Sequence, residues 1–402
     1  MINKKVSKKL VIGITIMTIL GVFCGTKLYQ YIKIKTAKIE VVLNEDLTLE
    51  FNDKKKVSDY IQSINGEIVD DYVIDSSKVG IQNIKFNFIN DDGIKVSYTY
   101  KINVVDTIEP VIWLGNSYKL KKGTRLSIDS ILCGDNYDSN PHCYIEGLYD
   151  SSKVGNYSLV FKAVDSSGNV ATQPFTLNVY EPSNSKKNNS TSKPRTKFSD
   201  VIVNYKKNNT KIGIDVSKWQ GDIDFSKLKK AGVEFVIIRV GGTRGTNGEY
   251  FLDPKFKQNI EGAKANNIPV GLYFYSYANS KEHAIRDAQW VLDVIKGYDI
   301  ELPIAFDWEE WSSFNEYSLS FFELTSIGEA FLGKLEEYGY QGMLYSSKSY
   351  LEYIWFPTKY DIWLAHYTDK TNYKGPYKIW QMCDNGLVDG INGNVDIDIM
   401  YD

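Results

Sequence analysis

The spacing of hydrophobic and polar residues changes three times along the chain. Leu10 to Gly25 is a nearly unbroken apolar run, preceded by Lys4, Lys5, Lys8 and Lys9. Between about residues 38 and 181, apolar and polar residues alternate over short stretches, as in Ile84-Lys85-Phe86-Asn87-Phe88 and Tyr157-Ser158-Leu159-Val160-Phe161. A period of two predicts half-buried strands. Asp91-Asp92-Gly93 and Asp165-Ser166-Ser167-Gly168-Asn169 supply the turns between them. From Lys211 onward, β-branched and aromatic runs predict eight strands, at 212–216, 234–240, 270–275, 303–307, 342–345, 362–365, 379–382 and 395–397. Helical spacing falls between the early ones, at 225–231, 254–266, 281–296 and 319–338; Ala284, Ala288, Val291, Leu292 and Ile295 share one helical face.

The N-terminal run is about 16 residues long, short of the roughly 20 that cross a bilayer. Extended through Leu28, Tyr29 and Tyr31 it reaches spanning length. The expectation is a cytoplasmic tail and membrane anchor over 1–35, with positive charge holding the N-terminus inside and the rest outside. A signal peptide that is cleaved to release the chain is the alternative.

The middle region repeats itself. Asp75-Ser76-Ser77-Lys78-Val79-Gly80 recurs as Asp150-Ser151-Ser152-Lys153-Val154-Gly155, and Ile102-Asn103-Val104-Val105 as Leu177-Asn178-Val179-Tyr180. Both matches lie 75 residues apart, which predicts two copies of one all-β sandwich, 38–106 and 107–181. The second copy resembles the bacterial Ig-like modules of surface proteins. Cys133 and Cys143 lie within it, either bonded to one another or as two free thiols. Asp135, Asn136 and Asp138 are either a calcium loop or a plain turn. A Ser-, Asn- and Lys-rich stretch over 182–208 reads as a flexible linker to the C-terminal domain at 211–402. In that domain, alternating strands and helices predict a TIM-like β/α barrel, irregular where the last three strands follow one another too closely for regular crossovers.

Composition narrows the chemistry. The net charge of −3 over 402 residues excludes a bulk-electrostatic nucleic-acid binder. Three scattered His and no Cys-x-x-Cys pair argue against a structural zinc site and a His-based metal hydrolase. Residues 211–402 hold 28 acids against 19 bases, a net of −9, so the remainder carries +6 and suits an anionic membrane. Within the barrel, Asp215 ends the first predicted strand, Asp307 and Glu309 close the fourth, and Asp396 lies on the last, beside the first when a barrel closes. Converging carboxylates push one pKa upward and so create a general acid. An acid with a second carboxylate is the equipment for glycosidic cleavage.

Gly213-Ile214-Asp215-Val216-Ser217-Lys218-Trp219-Gln220-Gly221 resembles the opening motif of the family 25 glycoside hydrolases, the Chalaropsis-type lysozymes. Asp307-Trp308-Glu309 is similar to their catalytic pair. Tyr273-Phe274-Tyr275, Leu344-Tyr345-Ser346, Ile362-Trp363-Leu364-Ala365-His366-Tyr367, Ile379-Trp380-Gln381 and Gly393-Asn394-Val395-Asp396 match further blocks in order. The resemblance implies an N-acetylmuramidase that needs no cofactor and no metal. Its partners would be peptidoglycan glycan strands, and the membrane through the N-terminal helix. Glu309 would be the general acid, Asp307 would stabilise positive charge or orient the substrate acetamido group, and Asp215 and Asp396 would complete the acidic pocket. Tyr275, Tyr345, Trp363 and Gln381 would contact sugar, though each aromatic also suits barrel packing. Asp398 stands where the family often has Asn and is not expected to touch Glu309, and Glu310 is expected to face away as a surface residue. A non-catalytic wall-binding scaffold and a glycosidase on another polysaccharide are the other readings.

Overall fold

The computed structural model describes residues 21, 23, 25–182, 194–246 and 249–402. Its contacts group the chain into two compact units, one up to Thr107 and one over Ile108–Asp402. Most of the expected membrane run lies outside the described residues. Residues 25–36 are helical, and among the described residues no helix is long and apolar enough to cross a membrane.

The first unit holds a four-stranded sheet in the order Thr48–Glu50, Lys95–Val105, Gly80–Asn90, Gly66–Ile68, with Val41–Leu43 paired to Ile61–Ile64. Alternation decides its inner face: Ile84, Phe86 and Phe88 are buried with Val57, Tyr100 and Val104. Asp91-Asp92-Gly93 turns the long hairpin, with Gly93 at φ +74° where a side chain would strain.

The second unit repeats that hairpin 75 residues on, as Gly155–Val164 with Val170–Tyr180. His142–Glu146 and Ser117–Lys121 flank it, and Val111–Ile112 pairs with Cys133–Gly134. Cys133 and Cys143 are bonded, with Cα atoms 6.6 Å apart, joining the short strand pair to the larger sheet. Asp135 and Asp138 serve the turn: Asp135 Oδ2 accepts the N–H groups of Tyr137 and Asp138, and Asp138 Oδ2 accepts that of Ser166.

Eight strands then close a ring: β1 Thr210–Val216, β2 Phe235–Gly242, β3 Val270–Tyr275, β4 Ile304–Asp307, β5 Gly342–Ser347, β6 Asp361–Ala365, β7 Ile379–Leu387 and β8 Val395–Tyr401. Neighbours from β1 to β7 pair in parallel. Strand β8 runs antiparallel to both β7 and β1 and completes the circle. The irregular end has a simple cause. Seven residues separate β7 from β8, enough for a hairpin and too few for a helical crossover. Helices α1 Phe225–Lys230, α2 Phe256–Ala265, α3 Lys281–Val294 and α4 Phe321–Glu336 cover the early strands. Ser320 caps α4 by accepting the Glu323 N–H at 3.1 Å, while Glu323 accepts the Ser320 N–H at 2.8 Å.

Two expectations are corrected. The linker expected over 182–208 is ordered from residue 194. Thr196–Lys197 pairs with β7, and Phe198–Tyr205 is a helix whose Phe198 and Val201 are buried against the barrel. The spacing of Phe198, Val201, Ile202 and Tyr205 gives that helix one apolar face, which the surrounding polar composition masks. The second all-β module is also no detached bead. Leu132 joins the barrel's core, and Trp113 stacks on Tyr350 with ring centroids 4.9 Å apart. Phe321 donates its N–H to the Asp135 carbonyl at 2.8 Å. Asn315 accepts the Cys133 N–H at 3.0 Å and donates to the Ile131 carbonyl at 2.9 Å.

Gly134 lies in this seam. A Cβ there would sit 2.6 Å from Phe321 and 2.8 Å from Phe314. Gly134→Ala is therefore expected to destabilise the second unit by roughly 1–3 kcal/mol through overpacking, seen as a lower midpoint in denaturant unfolding. An unchanged midpoint would show that the two rings yield freely.

Candidate active site

The strand ends at one mouth of the barrel surround a cavity of about 290 Å³. Its lining includes Asp215 from β1, Asp307 from β4, Asp396 from β8 and Glu309 two residues beyond β4. Strand register explains the convergence: Asp215 and Asp396 are direct cross-strand partners, and Asp307 pairs with both Tyr275 and Tyr345. Trp308 points the opposite way, fully buried, and its indole N–H donates to the Ala278 carbonyl at 3.1 Å. That anchor turns Trp308 into the barrel wall and leaves Asp307, the last strand residue, on the pocket side, while Glu309, past the strand's end, lines the same cavity. Tyr275, Tyr345, Trp363 and Gln381 line the same cavity, so all eight residues expected from the sequence come together.

Gln381 organises the floor. Its amide donates to Asp215 Oδ2 at 2.8 Å, and its carbonyl accepts the hydroxyls of Tyr345 at 2.9 Å and Tyr367 at 3.1 Å. With those hydroxyls committed, Tyr345 packs its ring edge-on to Trp363 at 4.6 Å. Arg239, Tyr273, Tyr367 and Trp219 also line the cavity, and the sequence reading missed them as site residues. Arg239 had a visible signal: it is the one charge within Phe235-Val236-Ile237-Ile238-Arg239-Val240, on the same strand face as Phe235 and Ile237. It is held by Asp253, with Nε donating to Oδ2 at 2.7 Å. Trp219 stands exposed at the rim, under the Lys218 ammonium.

Glu310 is a correction. Rather than a free surface residue, it is half-buried and accepts the Tyr275 hydroxyl at 3.0 Å, because the chain leaves regular strand geometry after Asp307 and alternation no longer applies.

The carboxyl groups perturb one another. Burial raises Asp307 well above the ordinary carboxylate range, Glu309 and Asp215 add to this, and Arg239 opposes it. Glu309 stands at the open rim, yet the pocket wall around its carboxyl and the neighbouring Glu310 raise it too. Asp215 is raised well above its ordinary value by burial and then by Asp398. Asp396 is pushed up to about 8 by burial, Asp215 and Asp384, and Asp398 to about 8 chiefly by burial.

The sign for stability follows. In the unfolded chain these acids titrate near 4, so between there and about 8 the folded barrel binds more protons. Their contribution is complete below the unfolded value and is lost as pH rises through about 8. The melting temperature is expected to fall from pH 5 to pH 9, and less steeply in Asp396→Asn. A flat or rising curve would contradict these shifts.

Residues 214–391 match the model of the glycosyl hydrolases family 25. The chain is similar to the autolytic lysozyme of Clostridium acetobutylicum, 29% identical over 189 residues that cover 46% of this chain and 54% of that protein. It is equally similar to the uncharacterized protein YegX of Escherichia coli K12, 29% identical over 192 residues covering 46% of this chain and 68% of that one. The chain thus spans about half the length of the autolytic lysozyme. Among solved structures it is similar to the modular autolysin LytC from Streptococcus pneumoniae in complex with a synthetic peptidoglycan ligand. The identity is 25% and the TM-score 0.43, over 60% of this chain and 56% of the other.

Proposed function

We propose that the chain is a peptidoglycan hydrolase of the muramidase type, which cleaves the β-1,4 bond between N-acetylmuramic acid and N-acetylglucosamine. The observation that carries this reading is the cluster of Asp307 and Glu309 at a carboxyl-lined barrel mouth, within the segment that matches glycosyl hydrolases family 25. The open, aromatic-walled cavity suits a polymer that passes across it, with the exposed Trp219 offering a flat face to a sugar ring at the rim.

Glu309 adds to the burial that raises Asp307, and Glu309 is itself raised by burial and by Glu310, so both carboxyls hold a proton more tightly than a free acid. In the empty pocket the deeper Asp307 is the costlier place for a charge. An acetamido N–H from the substrate would satisfy Asp307 as a carboxylate, leaving the proton on Glu309 at the rim. Glu309 then gives that proton to the departing glycosidic oxygen as the bond to C1 breaks. Asp307, with Arg239 behind it, holds the acetamido group or the positive charge that develops at C1. Water finally supplies hydroxide to C1 and returns the proton to Glu309. Asp215 and Asp396 complete the pocket, and Tyr275, Tyr345 and Gln381 position the sugar. No step needs a metal or cofactor.

Muropeptides released from purified peptidoglycan by the described second unit, residues 108–402, test the reading. Products carrying N-acetylmuramic acid at the reducing end are expected. Reducing N-acetylglucosamine ends, or no new ends at all, would overturn it. We further propose that the basic-then-apolar N-terminus holds the chain at the cell membrane with its globular units outside, for remodelling of the local wall. Recovery of the mature protein in the medium rather than the membrane fraction would count against that tether.

A further inference from the structure

Behind the pocket lies an acid that the proposed reaction does not use. Asp398 is fully buried and belongs to the same face of β8 as Asp396. It pairs across the sheet with Gly213 on β1 and with Gln381 on β7. Its Oδ1 accepts the Trp363 indole N–H at 2.8 Å. Among the described residues no amide, amine or hydroxyl donates to its buried Oδ2. What stands in hydrogen-bond contact with Asp398 is the carboxyl group of Asp215. Two carboxyls meeting out of water need a proton between them.

We propose that Asp398 is a positioning residue that sets the charge of the pocket: it accepts a hydrogen bond from a protonated Asp215, so when the pair gives up a proton the single negative charge settles on Asp398, on the side away from Asp307 and Glu309. Each partner has one other donor, Gln381 for Asp215 and Trp363 for Asp398. The surrounding charges break the tie. Asp215 acts on Asp307 from β4 and on Asp396 from β8, and itself feels Glu309. Asp398 feels Asp396, and the thiol of Cys383 on β7 feels Asp398. Arg239 on β2 offsets Asp307, and Asp384 on β7 acts on Asp396. The phenols of Tyr273, Tyr345 and Tyr367 stay neutral, all raised by burial. A charge on Asp215 would therefore crowd three acids, whereas one on Asp398 avoids the reacting pair.

The proposal rests on the muramidase reading for its kinetic consequence but not for its proton. In Asp398→Asn the new amide would donate to Asp215, which would ionise and bring the charge one carboxyl closer to Glu309. At pH 9, above the value of about 8 to which Asp398 is pushed, infrared spectra of the full chain are expected to lose one protonated-carboxyl band relative to wild type. Asp215→Asn, whose amide donates to Asp398 as the acid does, is expected to lose the same band, and decides the matter if Asp398→Asn does not fold. On peptidoglycan, the alkaline limb of kcat/KM in Asp398→Asn should move up by roughly half a pH unit or more. A merely structural Asp398 would lower activity evenly at every pH and leave the limb in place. An unchanged carboxyl band in both variants would overturn the proposal even if the chain hydrolysed no glycan at all, whereas the band lost without glycan cleavage would overturn only the muramidase reading.

Discussion

Glu309→Gln is expected to lower kcat on peptidoglycan by roughly 10²–10⁴-fold, the range that a positioned general acid supplies. Glutamine keeps the size and polarity of the side chain and removes only its proton. Glu309 stands at the rim, and among the described residues its carboxyl ties down no backbone group, so the fold should survive the change. Substrate binding should change little, which puts the loss in kcat rather than KM. Glu310→Gln is the matched control. Its amide oxygen still accepts the Tyr275 hydroxyl, but a negative charge that raises Glu309 is gone. Glu309 then loses its proton at lower pH, and the alkaline limb of the rate profile should move down. Parallel loss of activity in both variants, or none in Glu309→Gln, would remove Glu309 from the role of acid.

The second large effect is expected far from the carboxylates. Asn315→Ala should cost about 2–4 kcal/mol, because it strands two buried backbone groups at once, the Cys133 N–H and the Ile131 carbonyl. Asn315 lies on the short helix Phe314–Tyr317, which follows the turn Trp311–Ser313, and that turn begins two residues after Glu309. Trp311 in turn stacks on Tyr350 at 3.9 Å, and Tyr350 on Trp113 of the all-β module. The module therefore props the segment that leads away from the proposed acid. Asn315→Ala should show both a lower melting temperature and a lower kcat at temperatures where the chain remains folded. A fall in melting temperature with kcat intact would make the seam a matter of stability alone.

These residues also mark where the sequence is legible. The eight strands can be read because each is short, apolar and bounded by turn or helix signals. Asp215, Asp307, Glu309 and Asp396 stand out because a carboxylate at the end of an apolar strand conflicts with simple burial. Asp398 conflicts equally, in Val395-Asp396-Ile397-Asp398-Ile399, but no pocket role accounts for it until the register places it behind Asp215. The seam was illegible for another reason. Trp113, Leu132 and Gly134 look like ordinary residues of a small sandwich, and their partners lie about 180 or more positions away. Alternation tells which residues are buried in a module but not that a second surface covers part of it. Glu310 failed for a local reason, since a period of two holds only while the strand lasts.

The antiparallel β8 has a consequence in time. It joins β1 to β7 and carries Asp396, which meets Asp215 across 181 positions of chain. Contacts of such separation form late and slowly, since the chain must close its longest loop before the pairing stabilises anything. A chain that has emerged as far as Glu309 already owns the proposed acid but has no enclosed mouth to work in. Hydrolytic competence would thus arrive in the closing moments of folding, when the last strand slides between the first and the seventh.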